Sequence, residues 1–205
     1  MTIEQIRQAV QEGNTDLLNE VAAQRKLPGY KSMYIAVDEE GRGLCLKASH
    51  LLTPTHAKGI CEYTGTERQV ATNEHVNAPP MKQLMYGCEY TRNGIRYRKS
   101  PDQDLQSLLR YMQAPAIGEE PTCKLVAAKD TKTSTLIELH INRPIQPHEQ
   151  LTIDYGGPYW QIFWHHLNLT QQHEMRRLHP DIVFPPYWPH NTAPGYHTYQ
   201  TVNQL

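Results

Sequence analysis

The sequence predicts a mainly β fold with short helices, capped by an N-terminal helical segment and followed by an aromatic-rich C-terminal extension. Three observations carry that expectation. Short runs of β-favouring residues alternate with glycine, asparagine and proline turns. The longer stretches of apolar residues at helical spacing lie in the first 26 residues and after Tyr155. From Pro180 onward the chain is rich in Pro, Tyr and His, as in Phe184-Pro185-Pro186-Tyr187-Trp188-Pro189-His190, and prolines remove backbone donors and fix φ.

At the N-terminus, Ile3, Ile6 and Val10, then Leu17, Leu18, Val21 and Ala22, predict two short helices broken at Gly13-Asn14-Thr15. Leu27-Pro28-Gly29 ends them. Tyr34–Val37 and Leu44-Cys45-Leu46 predict a hairpin around the 38–43 turn. Gly59–Gly65 reads as a further strand. Met85–Tyr90 and Ile95–Tyr97 flank Arg92-Asn93-Gly94, whose Asn-Gly suits a tight turn. Leu105–Met112 reads as one or two helical turns. Cys123–Ala128 and Leu136–Ile141 are strands joined by a polar stretch, Pro144–Glu149 is a loop, and Leu151–Tyr155 is a last short strand. Trp160, Phe163, Trp164 and Leu167 open a helix that Gln171–Leu178 would continue, and the aromatic tail is expected to pack on the domain.

A chain of 205 residues suits one domain with additions at its ends, since domains run to about 100–200 residues. The expected division is a helical segment over 1–28, a principal domain over 29–160, and a helix with a Pro- and aromatic-rich tail over 161–205. Apolar residues make up 39% and the mean hydropathy is -0.65, which leaves enough apolar side chain for a core. Twenty Lys and Arg against 21 Asp and Glu give a net charge of -1, which excludes a surface that is wholly a nucleic-acid footprint. With 12 Tyr against 2 Phe, many rings are expected to meet water or a ligand through a polar tip.

No run approaches the roughly 20 apolar residues of a membrane helix, and Met-Thr-Ile-Glu-Gln lacks the plan of a secretory signal. A cytoplasmic or nuclear location is expected, and a bacterial or viral protein acting in a host also fits. Cys45, Cys61, Cys88 and Cys123 form no C-x-x-C pair, so reduced thiols and no zinc site are expected. Six histidines, from His165 to His197, match no metal-ligand spacing.

Four phrases then stand in order. They are Gly41-Arg42-Gly43-Leu44, Glu62-Tyr63-Thr64-Gly65, Leu109-Arg110-Tyr111, and Glu149-Gln150-Leu151-Thr152-Ile153-Asp154-Tyr155-Gly156 with Tyr159-Trp160. A hairpin turn or a core tyrosine would account for any one of them. Together, from about Met33 to Trp160, they resemble the SET domain, the fold of protein lysine methyltransferases. The resemblance implies a fold of small β-sheets and S-adenosyl-L-methionine as cofactor. Cofactor contacts are implied at Gly41, Arg42, Gly43, Leu44, Arg110, Tyr111, Gln113, Tyr155 and Trp160. Tyr155 matches the reactive-site tyrosine, and Tyr86 is a candidate for a second channel wall, with Tyr90 as its rival. The implied partner is a lysine-containing protein or peptide, and histone tails are the family's commonest target.

Three departures qualify the resemblance. Gln113 and Ala114 stand where the family's R-F-x-N-H phrase has asparagine and histidine, and the stretch to Gly118-Glu119-Glu120 is similar to the PR branch, some of whose members are weak or silent enzymes. The alternative is therefore a SET- or PR-like module that binds a peptide without turning it over. Thr66 replaces the glutamate that closes the family's Y-x-G-E phrase, and Glu67 comes one position late. No cysteine follows Cys123, so the family's three-cysteine zinc loop has no counterpart and the aromatic tail is left to close the channel.

Overall fold

The computed structural model describes residues 2–39, 43–54, 59–70, 88–100, 105, 107–116, 119–131, 134–155, 169–178 and 180. Gly41, Arg42, Tyr86, Trp160 and the tail beyond residue 180 lie outside them. Within them the chain is mainly β with short helices, as expected: three small antiparallel sheets and three α-helices.

Helices α1 (Ile3–Glu12) and α2 (Thr15–Gln24) form where the apolar spacing placed them. Thr2 and Gln5 make a reciprocal capping box on α1, each side chain accepting from the other's backbone N–H. Gly13 closes α1 at φ 66°, in the left-handed region that favours glycine, and the Asn14 side chain caps α2 by accepting from Leu17 N–H. The helix break is thus a stop signal followed at once by a start signal. Ile6, Leu18 and Val21 join Met33, Ile35 and Leu46 in one buried cluster. Asn19 fastens α2 to the β-structure: its Nδ2 donates to Ile35 O at 2.8 Å and its Oδ1 accepts from Ile35 N–H at 2.7 Å.

Strand β1 (Met33–Val37) pairs with β2 (Leu44–Ala48), in register from Met33–Ala48 to Val37–Leu44. A second sheet has the order β3 (Cys61–Glu62), β8 (Thr135–Ile141), β7 (Cys123–Asp130), and β8 alternates buried and half-buried residues along its length. The third sheet has the order β4 (Thr66–Gln69), β6 (Ile95–Ser100), β5 (Cys88–Arg92). Asn93 and Gly94, both at positive φ, make the tight β5–β6 turn that the Asn-Gly pair predicts.

Two expectations are corrected in detail. Gly59–Gly65 is not one strand: only Cys61–Glu62 pairs, and the chain turns at Gly65 into β4, which the polar sequence Thr66-Glu67-Arg68-Gln69 did not announce. Gly59 lies against β8, where a Cβ would stand 2.8 Å from Leu139 O, so the segment runs tight against its neighbour before pairing begins. Leu105–Met112 contains one helical turn, the shorter of its two expected lengths, as a 3-10 helix over Leu108–Tyr111. Leu151–Tyr155 is not a regular strand but a series of single bridges to several partners. Helix α3 (Leu169–Leu178) covers the expected continuation, with Gln172 buried and Leu169 exposed. No helix among the described residues is long and apolar enough to cross a membrane.

Candidate functional site

Three of the four phrases meet around the segment 149–155. On one side it lines up with β2: Ala48 N–H donates to Glu149 O at 2.9 Å, and Leu151 N–H to Leu46 O at 2.8 Å. It also runs parallel to Gln113, with Ile153 N–H donating to Gln113 O at 3.0 Å, and parallel to Cys123, whose N–H donates to Thr152 O at 2.9 Å. One short stretch therefore zips β2, the residues after the 3-10 helix, and the start of β7. Such bonds fix backbone relative to backbone, which is what a site needs in order to hold side chains in register.

Two neutral side-chain networks reinforce the junction. Thr122 and Thr152 exchange bonds: Thr122 N–H donates to Thr152 Oγ1 at 3.0 Å and Thr152 N–H to Thr122 Oγ1 at 2.8 Å, both buried. Gln113 Nε2 donates to Leu44 O at 3.0 Å, and Gln113 Oε1 accepts from Gln150 Nε2 at 3.0 Å.

Tyr155 ends the segment. Its ring is half-buried against the core, and its hydroxyl donates to Met112 O. A phenol with its proton committed to a carbonyl keeps its oxygen lone pairs as acceptors. Leu44, Gln113 and Tyr155 are thus brought to one place. Gly43, at φ 95°, turns the chain into β2 in a conformation that a side chain would strain, and its carbonyl accepts from Asp38 N–H at 2.8 Å. Arg110 and Tyr111 come from the adjoining 3-10 helix, with Arg110 Cζ 5.5 Å from the Tyr111 ring centroid. Tyr111 is buried, while Arg110 is half-buried.

Tyr63, from the second phrase, is buried, and its backbone N–H donates to Ile137 O. Burial pushes its phenol far up, and Cys88 adds to this, while the Arg110 charge pulls the other way. Tyr63 is therefore a neutral core residue near Arg110, not an acid or base. Burial likewise pushes Cys61 up to about 12 and Cys123 up to about 11, so both thiols stay protonated at neutral pH and supply no nucleophile. Tyr90, the rival to Tyr86, spends its hydroxyl on Glu67 in the third sheet. No group of three or more His, Cys, Asp or Glu able to hold a metal occurs among the described residues.

Two partners were not assigned from the sequence. The Met112 carbonyl is backbone and has no signal of its own. Gln150 lies inside the last phrase, but its polarity alone does not distinguish it from a solvent-facing residue.

No family model matches the chain, and no curated protein matches it. Among solved structures the chain is similar to the crystal structure of CpSET8 from Cryptosporidium, at 17% identity and a TM-score of 0.45. The likeness covers 61% of this chain and 57% of that one, so the match spans less than two thirds of the solved chain.

Proposed function

We propose that this chain is a protein-lysine N-methyltransferase of the SET type, using S-adenosyl-L-methionine and acting on a lysine-containing protein or peptide. The observation that carries this reading is the meeting of Tyr155 with Met112 and Gln113 beside Leu44. Phrases that resemble the family's motifs are far apart in sequence, and here they lie within hydrogen-bond reach.

The residues at this junction fit such a cofactor. Gly43 enters β2 without a Cβ, so backbone can come close to a ligand, and Tyr155 brings an oxygen that can still accept to the neighbouring Met112–Gln113 segment. When bound, the sulfonium supplies an electrophilic methyl carbon for in-line displacement by a neutral amine. The chain's own task is alignment and deprotonation. Lysine is charged at pH 7, and removing its proton costs about 4–5 kcal/mol. An amine held beside the half-buried Tyr155 ring would have that cost lowered, because partial burial disfavours the ammonium. The Tyr155 oxygen, with its own proton given to Met112 O, is left to accept from the amine and so orient its lone pair.

The test is S-adenosylmethionine binding by calorimetry together with radiolabelled methyl transfer to core histones, with the modified lysine located by mass spectrometry. Binding without transfer to any histone or to a lysine peptide library would favour the second reading, a binding module. The specific observation behind that alternative is Gln113-Ala114 in place of the family's asparagine and histidine. No cofactor binding at all would sink the first.

A further inference from the structure

We infer that Gln150 is a positioning residue for Tyr155, acting through Gln113 in a two-glutamine relay that spans the junction; this rests on the methyltransferase reading of Tyr155. The relay has a defined polarity. Leu44 O can only accept, so Gln113 must turn its amide nitrogen towards it. That leaves Gln113 Oε1 facing Gln150, and Gln150 must present its own amide nitrogen. The direction of both amides is thus set by one backbone carbonyl of β2.

The relay also has a mechanical consequence. Gln113 is gripped at three points: Nε2 by Leu44 O, Oε1 by Gln150 Nε2, and the backbone O by Ile153 N–H. The Met112 carbonyl, which takes the Tyr155 proton, belongs to the peptide unit that begins Gln113. Whatever fixes Gln113 therefore fixes the acceptor that aims the Tyr155 hydroxyl. Gln150 sits on the same 149–155 segment as Tyr155, so the relay closes a ring from Gln150 through Gln113 and Met112 back to Tyr155.

The test uses Gln150→Leu, which keeps the stem and removes the amide, with Gln113→Leu and the double variant beside it. Hydrogen exchange is read at Ile153 N–H, with Tyr63 N–H as the internal control because it bonds to Ile137 O elsewhere. Turnover on core histones and the KM for S-adenosylmethionine are measured on the same proteins. Gln150→Leu is expected to speed Ile153 exchange about tenfold and leave Tyr63 unmoved, because an orphaned part-buried acceptor weakens its surroundings. It is expected to lower kcat about tenfold with KM within about twofold, a split that a general loss of stability would not produce. The double variant is expected to fall no further than Gln113→Leu alone, since both substitutions cut one chain. Multiplying effects, unchanged Ile153 exchange, or a loss confined to KM would each overturn the relay. If Gln150→Leu does not fold, Gln150→Glu carries the same test, being of equal size with no N–H to donate. A wild-type protein that neither binds S-adenosylmethionine nor methylates histones would sink the functional reading, while the exchange measurement would still decide the relay.

Discussion

Two junctions hold this molecule together, and they are made of different materials. Where 149–155 meets β2, Gln113 and β7, the bonds run between neutral groups: backbone amides and carbonyls, two threonines, two glutamines and one phenol. Where the β4–β6–β5 sheet meets the β7–β8 hairpin, the centre is a charge. Glu67 accepts from Tyr90, from Ser134 Oγ at 2.9 Å and from Thr135 N–H at 3.3 Å, and pairs with Arg92 Nη2 at 2.8 Å. Arg92 lies over the Tyr97 ring at 4.1 Å, and Lys99 Nζ reaches Thr135 O at 2.7 Å. The Arg92 and Glu67 side chains are only 9% and 13% exposed. A buried charge is tolerated when all its partners are present and is costly when one is lost. Neutral bonds are weaker one by one, but they do not change with pH in the acid range. A site that aligns three groups is better served by the neutral kind, and a sheet-to-sheet anchor can use the charged kind.

The largest expected effect breaks the charged junction. Glu67→Ala removes the carboxylate that Arg92, Tyr90, Ser134 and Thr135 share and should give the largest drop in the urea unfolding midpoint of the variants named here. An unchanged midpoint would mean that Arg92 finds water or another acceptor, and the contrast between the junctions would fail.

Next comes the neutral junction at its functional end. Tyr155→Phe keeps the ring and removes the hydroxyl, so the fold should survive with little change in melting temperature. Turnover should fall by a factor of about 10²–10³, the loss of roughly 2.7–4 kcal/mol seen when one oriented polar contact is removed from a transition state. Full kcat in this variant would move the chemistry to another tyrosine, with Tyr86 first in line.

A smaller effect tests the bonds below Tyr155. Thr152→Val removes the hydroxyl that accepts from buried Thr122 N–H and should cost about 1–3 kcal/mol. That loss should be the same at pH 4 and pH 7, because nothing in the pair titrates.

The smallest effect is a slope with pH. Burial alone would raise the Glu67 carboxyl, but the bonds from Tyr90, Ser134, Thr135 and Arg92 outweigh it and hold the group below the usual glutamate value. A folded carboxyl that titrates below its unfolded value stabilises the fold above the unfolded pKa, about 4.3, and this contribution is lost as pH falls through the folded value. Unfolding midpoints measured from pH 5 to pH 3 should drop in the wild type and flatten in Glu67→Gln. Equal slopes in both proteins would assign the acid sensitivity to other carboxylates.

The difference between the junctions also marks how far the sequence could be read. The helix break, the Asn93-Gly94 turn and strands β1, β2, β7 and β8 follow from local rules: capping residues, positive-φ turn formers and apolar alternation. Strand β4 was invisible because Thr66-Glu67-Arg68-Gln69 has no apolar face; it pairs with β6 while Glu67 is held by Tyr90 and Arg92 of β5 and by Thr135 N–H of β8. Leu151–Tyr155 read as a strand because its composition suits one, yet its backbone is divided among three partners. The resemblance named Leu44, Gln113 and Tyr155 together, but not which of their atoms bond.

Composition and local pattern were therefore enough to determine a mainly β chain with a helical start, while Tyr155 was singled out only by the resemblance of the four phrases. Those properties depend on neighbours within a few positions, where side-chain period and backbone preference act directly. Only the tertiary structure decided that the Tyr155 proton goes to Met112 O, that Gln150 supports Gln113, and that Glu67 anchors a sheet instead of joining the site. Each of those links joins residues more than 20 positions apart, and a hydrogen bond depends on a separation of a fraction of an ångström that no local preference encodes.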